Sequence, residues 1–338
     1  MVRQAASTNP VPSVGFVNTS DGLRVEQSIL ALDAKLHPGL SFISQPIIKS
    51  DHILGQLLTS EDSAALMDVF GVKSRPLFCP YNRPFSVGKM RFELLPSGGG
   101  AGSASLLLNY ENQTILYAPC LQIQKVRAQR RLQLRKAGSL ILAAGYAPPT
   151  ETPPSRGKAL TNFEHAIEAG LSSVGPAKME VYTETLTQFF EVLAILQSLE
   201  HPVTVHRRGF QLCKALTNSS LKLKDQIQLN GGRRSKEKIM VRFCPPSLGF
   251  KSRKSSRPHQ ILLCHSEIEN PALPMSTQAM FRIPDFSYGS DYESIIKEVR
   301  PKKVYFFGHL AKSYADHFTN TLDISCQPLY TDQQPTLF

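Results

Sequence analysis

Short apolar runs, separated by turn-forming residues, dominate the first half of the chain. Residues 40–43, 90–95, 105–110 and 114–118 are rich in apolar and β-favouring side chains, and Gly, Pro, Asn or Ser bounds each run. This pattern predicts a series of short strands. Residues 60–70 instead begin with a serine suited to cap a helix and continue with apolar side chains at helical spacing.

The second half alternates helical and strand-like patterns. Helices are predicted at residues 184–199, 210–216, 291–299 and 312–320, and strands at 139–144, 202–206, 239–244, 260–265, 279–283 and 303–307. Such a rhythm is typical of α/β proteins. Together with the strand-rich first half, it predicts an αββα sandwich that carries a small α/β insert.

Five segments follow from these patterns. Residues 146–157 are rich in proline and predict a loop or linker at the start of the insert. The predicted segments are a flexible N-terminus (1–20), the N-terminal half of the sandwich (21–150), the insert with a basic loop (151–258), the C-terminal part of the sandwich (259–326) and a loosely held tail (327–338).

The composition favours a folded protein without a membrane span. Hydrophobic residues make up 41% of the 338 residues and charged residues 19%, and no apolar run reaches about 18 residues. The N-terminus lacks the apolar stretch of a signal peptide. The six cysteines are scattered without a Cys-x-x-Cys pair, which predicts reduced thiols and an intracellular protein, cytoplasmic or associated with the nucleoid.

The positive charge is concentrated in two runs. The formal net charge is +11, with six basic residues and no acid at 125–136 and nine basic residues against one acid at 233–257. A focused positive field attracts polyanions such as nucleic acids. Few aromatic residues are interleaved with these runs, so we expect contacts to the phosphate backbone. The candidate contact residues are Lys125, Arg127, Arg130, Arg131, Arg135, Lys136, Arg233, Arg234, Lys251, Arg253, Lys254 and Arg257.

Six sequence motifs resemble those of metal-dependent nucleases. The stretch that ends in Asp51 and His52 resembles the family signature His-x-His-x-Asp-His, with Ile47 and Lys49 in place of the two leading histidines. Residues 96–104 resemble Pro-Ala-Gly-His-x-x-Gly-Ser-Ala, with Gly99 in place of the histidine.

Four further stretches follow in the family's order along the chain. The strand at 115–120 resembles one that ends in Gly-Asp, with Cys120 at the position of the aspartate. Later segments place Ala143 where a glutamate is expected and Phe286 where a catalytic histidine is expected, whereas His309 matches a retained histidine. The chain therefore resembles metallo-β-lactamase-fold nucleases of the β-CASP group, closest to bacterial ligase-associated DNA exonucleases, which are similar to mRNA 3′-end processing factors.

This resemblance implies a degenerate metal site. The family's chemistry uses two metal ions that activate water and brace the scissile phosphate. Isoleucine, glycine and a lysine ammonium cannot replace histidine as ligands. The expectation is therefore no cofactor, although Asp51, His52, Cys120 and His309 could together hold a single zinc ion. Alternatively, Lys49 forms an ion pair with Asp51.

Three functions remain open on the sequence. The first is a pseudoenzyme that binds nucleic acid, DNA before RNA, through its basic loops in a DNA repair or RNA processing complex. The second is a structural subunit that docks on an active nuclease, a ligase or a helicase without binding nucleic acid. The third is a residual hydrolase or exonuclease that uses one zinc ion.

Overall fold

The computed structural model describes residues 14–48, 53–74, 76–127, 129–216, 227–229, 238–245, 259–264 and 279–330. Among these residues, none of the helices combines the length and the apolar character that a membrane span requires.

The first sheet contains six strands in chain order. The strands β1 to β3 pair in antiparallel fashion, and β3 to β6 are parallel. Ser60 caps the helix that follows β5, because its hydroxyl accepts a hydrogen bond from the Ser63 backbone N–H at 3.1 Å. The elements are β1 (Phe16–Thr19), β2 (Gly22–Val25), β3 (Leu30–Leu32), β4 (Leu40–Phe42), β5 (Gln56–Ser60), α1 (Glu61–Val69) and β6 (Leu77–Cys79).

The next five strands begin the second sheet. Strands β7 to β10 pair as antiparallel neighbours, and β11 joins β10 in parallel. They are β7 (Phe85–Val87), β8 (Met90–Pro96), β9 (Ala104–Tyr110), β10 (Gln113–Tyr117) and β11 (Ser139–Ala143).

An insert with its own parallel sheet follows. This third sheet has the strand order β14-β13-β15-β12-β16-β17. Its elements are α2 (Arg156–Val174), β12 (Met179–Thr183), α3 (Leu186–Ser198), β13 (Val203–Val205), α4 (Arg207–Ala215), β14 (Ile227–Leu229), β15 (Ile239–Phe243), β16 (His259–Cys264) and β17 (Ala279–Arg282).

The chain then returns to the second sheet. The last elements are α5 (Asp291–Val299), β18 (Lys303–Phe307), α6 (Ala311–Leu322) and β19 (Ser325–Leu329). They complete the strand order β19-β18-β11-β10-β9-β8-β7.

Separate apolar cores hold these layers together. The first two sheets pack face to face through side chains such as Phe42 and Phe92. Helices α5 and α6 cover the other face of the second sheet, where Phe306 and Tyr314 lie. Met67 of α1 packs against the outer face of the first sheet. In the insert, helices α2 to α4 bury one face of the third sheet.

The predicted α/β class is confirmed, with several differences in detail. Helix α2 and strand β12 were not predicted, although α2 carries a buried stripe that includes Leu160, Phe163 and Ile167. The predicted loose tail from residue 327 is wrong up to Leu329, because β19 pairs along its whole length with β18. Strands β16 and β17 fall within the predicted C-terminal part of the sandwich, yet they pair with strands of the insert.

Candidate functional site

A buried polar cluster lies at the ends of β3, β4 and β10. Asp33 directly follows β3, and its carboxylate accepts hydrogen bonds from the backbone N–H and the hydroxyl of Ser44, both at 2.7 Å. The Tyr117 hydroxyl donates a third hydrogen bond, also at 2.7 Å. Burial raises the pKa of Asp33, and these hydrogen bonds act in the opposite direction.

Cys120 borders this cluster. Its side chain is buried, with the Ser44 hydroxyl 3.5 Å from the sulfur and the Gln45 side-chain amide donating to it. Burial, with a smaller contribution from the charge of Asp33, raises the pKa of the thiol to about 12. In the absence of a bound metal, Cys120 is therefore a neutral thiol and not a nucleophile.

The Gly-rich loop, residues 97–103, closes over Cys120. A Cβ atom placed on Gly99 would lie 2.8 Å from the backbone oxygen of Cys120 and 3.7 Å from the ring of Phe286. The rings of Phe286 and Tyr146 pack together, with their centroids 5.6 Å apart. Aromatic and backbone atoms thus occupy the space beside Gly99, and a histidine there would require the backbone to move.

Two other degenerate positions, Ile47 and Ala143, have structural roles. Ile47 is buried against Ile43, Leu57 and Met67 in the core beneath α1. Ala143 ends β11, and its backbone oxygen accepts a hydrogen bond from the hydroxyl of a buried tyrosine, Tyr292, at 2.6 Å.

His309 lies in a different setting from Cys120. It is exposed just after β18 and lines an open groove of about 780 Å³ together with Asn18, Lys312 and Tyr330. Its Nδ1 atom lies 3.8 Å from the position of a Cβ on Gly145.

The residues that could hold the implied zinc ion do not form a ligand set in the described parts of the chain. Within those parts, no group of three or more His, Cys, Asp or Glu side chains is arranged to hold a metal. Of the four candidate ligands, Asp51 and His52 lie outside the described residues, as does Lys49. The two described candidates are a neutral buried thiol and an exposed imidazole, and this pair does not fit a structural zinc site.

The basic segment, residues 125–136, runs along the outside of the Gly-rich loop. Leu132 lies against Gly98, and the Gln133 backbone N–H donates to the Pro96 oxygen at 3.0 Å. The guanidinium of Arg130 stacks over the ring of Tyr81 at 5.0 Å.

Acids anchor this segment on both sides. Arg127 pairs with Glu164 of α2 at 2.6 Å, and Arg135 lies 3.6 Å from Glu93 of β8. Lys125, Arg131 and Lys136 are exposed. The segment therefore crosses from the insert to the second sheet with cations along its outer side. The other predicted contact residues, Arg233, Arg234, Lys251, Arg253, Lys254 and Arg257, lie outside the described residues.

Sequence reasoning missed the polar residues that surround Cys120. Asp33, Ser44, Gln45 and Tyr117 were not candidates. A signal existed for Asp33, because an acid directly after a short apolar run is placed at the end of a strand, where functional and buried polar side chains gather. Ser44 and Tyr117 are 11 and 84 residues away from Asp33, so no local pattern links them.

Comparisons with known proteins show similarity at the level of the fold. No family model matches the chain, and no curated protein matches it. One similar solved structure is the crystal structure of a protein of unknown function from Enterococcus faecalis V583, with a TM-score of 0.61. The sequence identity is 9%, and the match covers 89% of this chain and 94% of the other.

Proposed function

We propose that this protein is a metallo-β-lactamase-fold, β-CASP-like scaffold that binds nucleic acid without cutting it. The layers support this proposal: α1 and the first sheet face the second sheet and α5 with α6, and an insert with a parallel sheet interrupts the second sheet. This is the arrangement expected for an αββα sandwich with a β-CASP-like insert.

Loss of catalysis follows from the chemistry of the site. Two-metal hydrolysis needs ligands that activate water and a group that protonates the leaving oxygen. Gly99 and Ala143 have no donor side chain, and Phe286 can neither bind metal nor transfer a proton. The ring of Phe286 also fills the space beside the Gly-rich loop.

The observation that carries the binding proposal is the position of the basic segment. Its cations lie along the Gly-rich loop and are held in place by acids at both ends. Among the residues that the structure describes, Lys125, Arg131 and Lys136 form no ion pair. Such cations can replace counterions on a phosphate backbone, which favours binding without sequence readout.

Fluorescence anisotropy with single- and double-stranded oligonucleotides tests this proposal. We expect salt-sensitive binding, and a triple alanine variant of Lys125, Arg131 and Lys136 should lower the slope of log K against log salt by about 2 to 3. A control variant replaces three exposed lysines elsewhere, Lys73, Lys89 and Lys302, and has the same change in charge.

The control should keep most of the affinity and the slope of the unmodified protein. If both variants lose the same affinity and slope, net charge alone explains binding and the basic segment is not the binding surface. Absence of salt-sensitive binding near 50 mM salt in the unmodified protein would contradict the proposal.

A structural-subunit role is the second candidate, favoured by the edge of the first sheet. On strand β6, Leu77 is 51% and Phe78 60% exposed. Exposed apolar edge strands are suited to pair with another chain. Co-purification from the native source would test this role: a stable protein partner, lost on Phe78→Asp, together with no binding of free oligonucleotides would favour it over the first candidate.

A further inference from the structure

The two chain crossings that join the insert to the sandwich meet at one place. The outgoing crossing, residues 144–155, leads from β11 to α2, and the return crossing, residues 283–290, leads from β17 to α5. They are bonded to each other, since the Ser290 backbone N–H donates to the Glu151 oxygen at 3.0 Å. We call this meeting point, with the side chains packed inside it, the junction.

One buried arginine connects the parts of the junction. Arg156, the first residue of α2, is 1% exposed. Its guanidinium donates to the backbone oxygen of Pro284 on the return crossing and pairs with Glu191 of α3. Its backbone N–H donates to the Gln124 side chain at 2.7 Å, and the Gln122 side chain donates to Pro284 at 3.0 Å.

The junction contains two buried carboxylates for this one guanidinium. Glu191 is 0% and Asp285 is 1% exposed. The other Glu191 oxygen accepts the backbone N–H of Arg127 at 3.1 Å. Burying a charge without full compensation is costly, so two charged carboxylates beside one cation are unfavourable. The arrangement is stable when one proton is bound.

Burial raises the pKa of both carboxyl groups. For Asp285 the pKa rises to about 6, while the charge of Arg156 and the hydroxyl of Thr185 act in the opposite direction. For Glu191 burial is again the largest cause, Arg156 opposes it, and the charge of Asp285 adds to it. Among the described residues, the charge of Asp285 also contributes to raising the pKa of the Tyr146 hydroxyl. The proton belongs to the coupled pair rather than to either residue alone.

We propose that Arg156, Glu191 and Asp285 form a proton-operated clasp that holds the insert on the sandwich and loosens when the second carboxylate becomes charged. Below the pH at which the carboxyl pair loses its shared proton, one neutral carboxyl and one Arg–Glu pair close the junction. Above it, the repulsion between two buried carboxylates favours states in which water reaches the crossings.

The clasp is connected to the candidate site through its neighbours. Phe286, next to Asp285, packs against Tyr146 beside the Gly-rich loop. Glu191 holds the backbone of Arg127 in the basic segment. Insofar as the proposed nucleic-acid binding is correct, this connection also predicts that protons and nucleic acid affect each other's binding, because such linkage is reciprocal.

Amide hydrogen exchange measured by mass spectrometry tests the clasp without any ligand. Between about pH 5 and about pH 7.5, after correction for intrinsic exchange rates, we expect the protection of residues 144–155 and 283–290 to fall at least about tenfold. The Asp285→Asn variant should show protection that no longer depends on pH. The control variant Glu293→Gln changes an exposed acid on α5 and should respond as the unmodified protein does.

A second variant covers the case in which Asp285→Asn does not fold. Glu191→Gln leaves one carboxylate, Asp285, beside the Arg156 guanidinium, so the protection should again no longer fall as the pH rises. Constant protection in the unmodified protein, or an unchanged transition in either variant, would overturn the clasp. Absence of oligonucleotide binding by the unmodified protein would contradict the proposed function but not the clasp, because hydrogen exchange is measured without nucleic acid.

Discussion

At the scale of single residues, the main feature of the candidate site is the close contact between the Gly-rich loop and the backbone of Cys120. Gly99 leaves no room for a side chain, because the backbone oxygen of Cys120 lies 2.8 Å from the position of a Cβ. Cys120 in turn lies beside the Asp33 cluster through Ser44 and Gln45. These contacts connect the Gly-rich loop to the first sheet, so small changes here should affect stability before they affect binding.

The first prediction concerns Gly99. Replacing Gly99 with alanine should lower the free energy of unfolding by about 1–3 kcal/mol, since the added Cβ forces the backbone of the Gly-rich loop to shift. The matched control is Gly157→Ala in α2, where the nearest atom is 3.9 Å away and the change should be neutral or slightly stabilising. Urea unfolding of both variants measures the difference. Equal stability of the two variants would contradict the close approach at Gly99.

The second prediction concerns zinc. Metal analysis of protein purified without chelator should find less than about 0.2 zinc per chain, because the described residues contain no group of three or more His, Cys, Asp or Glu side chains arranged to hold a metal. About one zinc per chain in the unmodified protein, with less zinc in the Cys120→Ser variant, would instead favour a residual single-zinc hydrolase.

At the scale of elements, helix α3 shows how tertiary packing overrides periodicity. Its apolar residues form the expected stripe, but Gln188 and Glu191 on other faces are also fully buried. The cause is position: α3 lies between the third sheet and the junction, so most side chains of its first turns are buried. The side-chain oxygen of Gln188 accepts a hydrogen bond from the Glu184 backbone N–H at 3.0 Å.

The third prediction tests the ion pair between α2 and α3. Arg156→Met leaves buried carboxylates without a cation and should cost about 3–5 kcal/mol. The double variant Arg156→Met, Glu191→Leu should cost less than Arg156→Met alone, because it removes the uncompensated charge as well. As a control, Arg127→Met disrupts a solvent-exposed pair and should cost less than about 1 kcal/mol. Denaturant unfolding measures the free energy of unfolding of the unmodified protein and the three variants. A double variant less stable than Arg156→Met alone would contradict the prediction.

At the scale of the whole molecule, the insert is attached to the sandwich by two crossings that meet at one charged, buried point. Elsewhere the layers are held mainly by apolar cores, which carry no charge. Burial also raises the pKa of Asp33, which lies between the first two sheets. The pH dependence of stability should therefore reflect these two places, the junction and the Asp33 cluster, more than the apolar cores.

The fourth prediction is a pH dependence of stability with a defined sign. The pKa of Asp285 is raised from 3.8 to about 6, so the folded protein holds this proton more tightly than the unfolded chain does. This contribution to stability is complete below pH 3.8 and is lost as the pH rises through about 6. Above that pH, Asp285→Asn should be more stable than the unmodified protein, by at most about 3 kcal/mol.

Unfolding by urea at several pH values measures this difference. The two proteins should have similar stability near pH 4 and diverge towards pH 7. Parallel curves for the two proteins would show that Asp285 does not titrate in this range.

Much of the local structure could be predicted, because it depends on neighbours along the chain. The strands near residues 90–95 and 114–118 and the helix near 291–299 follow from apolar periodicity and turn residues. Helix α2 escaped prediction because its apolar residues are spaced among many polar ones and follow a Pro-rich loop. The basic segment was also evident, because its cations are close together along the chain.

The α/β alternation and the clustering of cations at 125–136 could be predicted, since both depend on residues that are adjacent in the chain. That β16 and β17 belong to the third sheet, and that Asp33 and Tyr117 lie together, became evident from the folded structure. The folded structure also shows that Arg156, which looks like an ordinary surface residue in the sequence, is buried against Pro284, 128 residues away. Contacts across such separations depend on how whole layers pack, and no local pattern records them.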